Sequence, residues 1–324
     1  MKNFESFLAP QLDEFLSYRQ GLGYSIKLTR DRLLVFDRYL RQTNAQRDTL
    51  TPFFFLELRA NVEMESRSIN GIISTVRVFF QFLVRREYVD QNPLRDIPFL
   101  KENSIIPFVF SRRQTDHLLE AVCKMLRRSE PYFLGDLAQY LAVVLMARCG
   151  MRISEPLKLM KHHYNRDDAT LYIERTKFKK HRLIPIPRAV VTEIENYLAV
   201  REQLCLNDQN PYLLSGKEHY PIRANRIRFL FHKGVKEIGL DQPRQIIGHV
   251  NFSQPTPHSL RHAFAVNTLL NIKERGQSPQ HALPVLAAYM GHTLYKYSSV
   301  YLRVMDAMSR KNLVDFSLWQ KRKQ

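Results

Sequence analysis

Cysteine is scarce. Three residues, Cys123, Cys149 and Cys205, are scattered through 324 positions, odd in number and without the paired spacing of a zinc site. That argues against a disulfide framework, suits a reducing compartment, and leaves buried, inert thiols as the plain reading. No apolar run reaches the roughly 18 residues that a membrane-spanning helix needs, and the opening Met1-Lys2-Asn3-Phe4-Glu5 has no signal-peptide pattern. A cytoplasmic location is therefore expected. No internal repeat, low-complexity tract, P-loop or carboxylate cluster at metal-binding spacing occurs, so the residues give no support to repeat architectures or to nucleotide- or metal-driven chemistry. Acidic residues are short as well: 31 Asp and Glu stand against 49 Lys and Arg, a net charge of +18.

The basic excess is uneven. Residues 1–100 carry 14 basic and 12 acidic side chains, whereas residues 101–324 carry 35 and 19. A large positive charge on one part of a chain fits a polyanionic partner, most often nucleic acid. With 44% hydrophobic and 25% charged residues the composition is that of a soluble globular protein, and the length favours two domains.

The first hundred residues read as helical throughout. Phe4, Phe7, Leu8, Leu12, Phe15 and Leu16 recur at three- and four-residue spacing, until Gly21-Leu22-Gly23-Tyr24-Ser25 breaks the pattern. A second helix is expected from about Ile26 to Gln42, a further start at Thr51-Pro52, and a third clear helix from Ser68 to Tyr88, ended by Asn92-Pro93. Residues 98–111 hold two prolines and no helical period, as a linker would. Beyond them, helices are expected at Arg112–Arg128, Gly135–Arg148, Arg188–Arg201, Asn225–Ile238, His258–Ile272, Ala282–Met290 and Tyr295–Met308. Two strand-like runs, Thr170–Glu174 and Arg182–Ile186, flank a basic hairpin tip that contains Lys177.

Four segments bear groups suited to chemistry. In the first, an apolar helix stops at Gly150, Arg152 follows at a chain reversal, and Ser154 and Pro156 suit the start of a new helix. The second is Lys177. In the third, His258 and Arg261 lie three apart on one helix face and aim at one point. The fourth is Gly291-His292, followed nine residues later by Tyr301. Each has a commonplace reading taken singly: a surface cation, a solvated tip, a chance pair, a helix stop, a packing tyrosine among Tyr289, Tyr295 and Tyr297. Together, in this order, they are specific.

In that order they resemble the tyrosine recombinase (phage-integrase-like) family. The resemblance spans most of the chain and implies a mainly α fold with a small β-sheet. It divides into a helical N-terminal core-binding domain (1–100) that clamps DNA, a linker (101–111), and an α+β catalytic domain (112–324) with a C-terminal tail helix. It implies Tyr301 as nucleophile, with Arg152, Lys177, His258, Arg261 and His292 as the catalytic set and Glu155 as an acidic brace. Lys179, Lys180 and Arg182 are expected to contact DNA. The implied reaction is site-specific cutting and rejoining through a 3′-phosphotyrosyl link and a Holliday junction, without cofactor or metal. The implied partners are double-stranded DNA with specific sites and further copies of the chain, a dimer on a site and a tetramer in synapsis, with room for an accessory protein, and nucleoid association in action. The chain opens directly on the clamp helices, which leans the expectation toward a resolvase or a mobile-element recombinase. The tail from Asp306 to Gln324 is expected to dock on a neighbouring copy. Two stretches, Asp241–Pro255 and Lys273–Pro284, look like insertions. Competing readings are a type IB topoisomerase-like enzyme with the same catalytic set, and a DNA-binding regulator on a decayed scaffold.

The chemistry accounts for the residue types. Without a metal, protein charge alone must stabilise a dianion-like phosphoryl transition state, and the guanidiniums of Arg152 and Arg261 present paired donors to its oxygens. His258 and His292 are suited to donate hydrogen bonds or shuttle protons near neutral pH. A tyrosine of ordinary pKa about 10 needs nearby cations to ionise, and Lys177 on its tip is placed to protonate the leaving 5′ oxygen.

Overall fold

A computed structural model describes residues 3–174, 181–215, 220–292 and 298–306. The chain divides between Ser104 and Ile105 into two units, each with its own core.

The first unit is built from α1 (Ala9–Gly21), α2 (Lys27–Gln42), α3 (Pro52–Asn61) and α4 (Ser66–Arg85). α4 carries the apolar stripe read from the sequence, and Ile69, Ile72, Ile73, Val76, Phe79, Phe80 and Leu83 are all buried. Aromatic edges lock the bundle, with Phe15 against Phe79 at 5.5 Å and Phe55 against Phe80 at 5.4 Å. The first helix begins at Ala9 rather than Phe4, because Pro10 suits only the first turn. Phe4 and Leu8 are buried all the same, whereas Phe7 is exposed. The non-helical start is held by Asp37, whose carboxylate accepts the backbone N–H groups of Glu5 and Ser6.

The expected linker is divided between the units. Asn70 both donates to and accepts from the Leu100 backbone, at 2.9 and 2.8 Å, which ties residue 100 to the first core. Phe110 is fully buried in the second core.

β1 (Ser104–Ile106) straddles the division, and the second unit runs on through α5 (Arg112–Lys124), α6 (Glu130–Arg148), β2 (Tyr164–Asn165), β3 (Thr170–Ile173), β4 (Arg182–Pro185), α7 (Arg188–Leu204) and α8 (Ala224–Glu237). It continues with β5 (Gln245–Ile247), β6 (Val250–Phe252), α9 (Pro257–Glu274) and α10 (Pro279–Met290), and residues 298–306 are helical. The class is mainly α, as read from the sequence. α6 is the central element: Leu141 through Ala147 are buried without interruption, so it is apolar all round, and it packs on α7, α8 and α9.

Several local expectations are corrected. α6 starts five residues before Gly135, a glycine whose added Cβ would meet nothing within 4 Å, so no steric need puts a boundary there. The described strands form two three-stranded sheets, β2-β3-β4 and β1-β6-β5, rather than one. The stretch 241–255 supplies the second of these through the antiparallel pair β5–β6, turned at Gly248 with φ +58°. The stretch 273–284 is the end of α9, a short turn and the start of α10, which runs through Pro284. Ser154 caps nothing, since Glu155 precedes a single 3₁₀ turn over Pro156–Lys158. Only Cys149 is buried, which raises its thiol pKa to about 12, whereas Cys123 is exposed and Cys205 half-buried. Lys177, Lys179, Lys180, Tyr295, Tyr297 and the tail beyond Asp306 lie outside the described residues. No described helix is long and apolar enough to cross a membrane.

Candidate active site

Three helix ends converge in the second unit. α9 opens at Thr256, whose N–H donates to Ser259 Oγ at 3.1 Å, with Pro257 in the first turn. This start puts His258 and Arg261 one turn apart near the positive end of the helix, where an anion is favoured. Arg261 is 1% exposed. Its Nη1 donates to Gly150 O at 2.6 Å, just past the end of α6, and its Nη2 donates to Met290 O at the end of α10. The last carbonyls of a helix have no partner inside it and carry partial negative charge, so they suit a guanidinium.

Two glycines make these ends possible. Gly150 has φ +59°, and a Cβ there would sit 2.4 Å from the Phe264 ring. Gly291 closes α10 at φ +65°, with its N–H on Ala288 O and that of His292 on Ala287 O.

Glu155 is the buried centre of the cluster. Its carboxylate accepts Arg152 N at 2.8 Å and Arg152 Nη1 at 2.9 Å, together with Arg182 Nη1 at 3.0 Å and Nη2 at 2.9 Å. Burial alone would raise its pKa; the hydrogen bonds and charge of Arg182, with the Arg152 N–H, overcome this and hold it below the usual carboxylate value. Arg152 Nη2 reaches Gly291 O at 3.2 Å and Arg182 Nε reaches Tyr289 O at 2.8 Å. The carbonyls of Tyr289, Met290 and Gly291 thus take one arginine each. Arg182, expected on the DNA face, is instead turned inward. Its side chain is 10% exposed and Nε, Nη1 and Nη2 are all engaged within the protein.

The histidines are neutral at pH 7. Burial, then the charges of Arg261 and Arg152, push His292 down to about 4. His258 is solvent-accessible yet closely surrounded, and that crowding with the same two arginines lowers its pKa. Burial first, and the arginine charges second, thus favour the neutral, hydrogen-bonding form of both imidazoles. Arg261 Nη2 lies 3.2 Å from His292 Nε2, and His292 Nδ1 lies 2.7 Å from Ser298 Oγ. Arginine only donates, so this network assigns the His292 proton to Nδ1, donating to Ser298.

Tyr301 is 2% exposed. Its ring lies between His262, at 5.7 Å, and His292, stacked at 6.1 Å, in an apolar cluster with Leu269, Met290 and Met305. Burial raises its pKa above the ordinary value, and the charges of Arg261 and Arg152 offset this only in part. The structure thus brings Arg152, Glu155, His258, Arg261, His292 and Tyr301 into one cluster. It adds His262, Ser298 and an inward Arg182. The first two were within reach of the sequence, since His262 lies four residues after His258 and Ser298 three before Tyr301, each on the same helical face. Among the described residues no three His, Cys, Asp or Glu side chains are grouped to hold a metal.

Comparisons with known proteins agree in kind. The Phage integrase family matches residues 110–308, and the Phage integrase N-terminal SAM-like domain matches residues 13–87. Tyrosine recombinase XerA of Pyrococcus furiosus is 28% identical over 311 residues, 94% of each chain. Tyrosine recombinase XerC of Alcanivorax borkumensis is 28% identical over 225 residues, 68% of this chain and 67% of that protein. The crystal structure of XerH site-specific recombinase bound to palindromic difH substrate shares the fold, with a TM-score of 0.71 at 17% identity over 96% of this chain and 84% of that one.

Proposed function

The chain belongs to the phage integrase family of tyrosine recombinases, and on that footing we propose that Tyr301 cuts and rejoins DNA at specific sites through a covalent phosphotyrosyl bond. The observation that carries this reading is a local charge surplus. Three guanidiniums, of Arg152, Arg182 and Arg261, surround one carboxylate, Glu155, and the flanking imidazoles are neutral. Uncompensated buried charge is costly, so the surplus is accounted for if an anion completes the site. A phosphodiester brings one negative charge, and its pentacoordinate transition state brings two.

In this mechanism the Tyr301 hydroxyl gives up its proton to a neutral imidazole of the site, its oxygen attacks phosphorus and the bond to the 5′ oxygen breaks, leaving a 3′-phosphotyrosyl link and a free 5′ hydroxyl. Arg152 and Arg261 bind the non-bridging oxygens, where fixed donors stabilise charge as it develops. His258, at the start of α9, supplies a further hydrogen bond. His292 is held by Ser298 beside Arg261, and a bound phosphate raises its pKa toward neutrality. Lys177 protonates the leaving 5′ oxygen. The tyrosyl ester keeps the energy of the broken bond, so attack by a 5′ hydroxyl of the partner strand reseals without ATP. Cleavage persists in excess chelator.

The finer reading is recombination between two sites through a Holliday junction by four copies of the chain, two active at a time, serving a mobile element or the resolution of dimers and cointegrates. The names of XerA, XerC and XerH as recombinases support it. So does the basic excess beyond residue 100, with 35 basic against 19 acidic side chains. A nicked substrate that loses its 5′ fragment after cleavage tests the chemistry. The wild-type chain accumulates a protein–DNA adduct that survives boiling in detergent. Tyr301→Phe binds the same DNA and gives none; an adduct from that variant contradicts the assignment. A type IB topoisomerase-like activity would instead relax supercoiled DNA of any sequence and form no junctions.

A further inference from the structure

We infer that Arg182 is a positioning residue for the cleavage step, one that acts through Glu155 on Arg152 and so sets the guanidinium that meets the phosphate. The inference rests on the catalytic role proposed above for Arg152. Arg182 opens β4, the strand that leaves the basic hairpin tip, and its sequence neighbours favour a DNA contact. Its side chain does something else. Nη1 and Nη2 grip the two oxygens of Glu155 in a parallel fork at 3.0 and 2.9 Å, the strongest geometry available to this pair. Nε donates at 2.8 Å to Tyr289 O, and an added Cβ at Gly291 would lie 3.1 Å from Nη1, so the guanidinium lies close against the turn that carries His292.

Glu155 in turn holds Arg152 by backbone and side chain, and Arg152 Nη2 rests on Gly291 O. Arg182 and Arg152 therefore share both supports, one carboxylate and one turn. Without the Arg182 charge and hydrogen bonds, burial drives Glu155 toward its neutral acid, which no longer fixes Arg152 in its fork. A lysine at position 182 keeps the charge but replaces a planar fork by one point donor, which cannot reach three acceptors in the same geometry.

The test uses the full chain with Arg182→Lys and Arg182→Gln, each alone and combined with Arg152→Lys. Site binding is read by gel shift and cleavage by single-turnover rates on the nicked substrate at saturating protein. Binding is expected to stay within about twofold, while the cleavage rate falls roughly 10²-fold, the scale seen when an oxyanion donor is lost. In the Arg152→Lys background the same change is expected to cost less than about threefold, because the route through Arg152 is already cut. Four outcomes overturn the inference. They are wild-type cleavage by Arg182→Lys, an equal fold-loss in both backgrounds, loss of binding in proportion to cleavage, and unfolding of Arg182→Gln with a fully active Arg182→Lys. A wild-type rate in Arg152→Lys alone would instead sink the catalytic reading on which the inference stands.

Discussion

Among the described residues each unit buries one carboxylate, and the two are used in opposite ways. Asp37, 3% exposed in the first unit, accepts backbone N–H groups of Glu5 and Ser6. Its donors are neutral, and it serves to fix a non-helical chain start. Glu155, 5% exposed in the second unit, accepts only from two arginines, through their guanidiniums and one backbone N–H. The buried arginines repeat the contrast. Arg201 is neutralised by Asp208 at 2.7 Å and tied to carbonyls of Asn210, Tyr212 and Leu213, the pattern of a structural knot. Arg261 is held by carbonyls and an imidazole, and among the described residues it forms no ion pair with a carboxylate. Burial and the nearby charge of Arg152 lower its pKa to about 10. Burial of charge is therefore not the mark of the site. The mark is buried cationic charge beyond what the protein itself neutralises.

That contrast breaks first at the arginines. Arg152→Lys and Arg261→Lys keep the charge but lose the planar fork, and each is expected to slow cleavage by about 10²-fold or more with little change in site binding. Near-normal rates in both would make them ordinary cations. Arg201→Lys, by contrast, is expected to lower the unfolding midpoint in urea and leave the cleavage rate of the folded protein alone.

The carboxylates come next. Glu155→Gln leaves arginine charge uncompensated, so a stability loss of about 3–5 kcal/mol is expected, with cleavage impaired even where the protein is fully folded. Asp37→Asn costs about 1–3 kcal/mol through its buried N–H partners and spares cleavage. Equal effects of the two on single-turnover rates would erase the distinction.

A smaller effect concerns acid. His292 is lowered to about 4 from an ordinary 6.5, and His262 to about 3. The unfolded chain then takes up these protons first as pH falls. The stability tied to their neutral forms is complete above 6.5 and drains away as pH falls, down to about 4 for His292 and about 3 for His262. Glu155, also lowered but from an ordinary 4.5, adds stability that is present above 4.5 and is lost only as pH falls below it. Urea unfolding at pH 7, 6 and 5 is expected to show a steady fall that His262→Gln makes shallower; an unchanged slope in that variant removes the buried imidazole as its cause.

The smallest effect is electrostatic reach. A fragment of residues 105–324 is expected to keep most of the salt-dependent DNA affinity, with a slope set by the phosphates it meets, and a fragment of residues 1–104 little of it. Equal binding by the two at one salt concentration contradicts this.

What was readable from the sequence follows from how far apart the cooperating groups lie. His258 and Arg261 are one helical turn apart, and Gly291 marks a helix end, so local rules find them. Arg152 and Glu155 sit three residues apart at a chain reversal, again a local signal. Arg182 was misread because its partners are distant: Glu155 is 27 residues away and Tyr289 is 107. Neither a strand's alternation nor a run of basic residues tells which face of a short hairpin is buried. The lowered histidine pKa values were out of reach for a similar reason, as the burial that mainly lowers them, and the arginine charges that add to it, arise only in the folded chain. The second sheet was missed although Gly248, between two short branched runs, marks a hairpin turn.

On the proposed reading, the charge surplus serves a covalent bond to one tyrosine. The most direct test is to trap the adduct on a nicked substrate, digest protein and DNA, and sequence the peptide that carries the residual nucleotide by mass spectrometry. A single modified residue, Tyr301, attached to a 3′ phosphate, is expected. A nucleotide on Tyr297 or any other side chain, or a 5′ phosphate in the link, would contradict it.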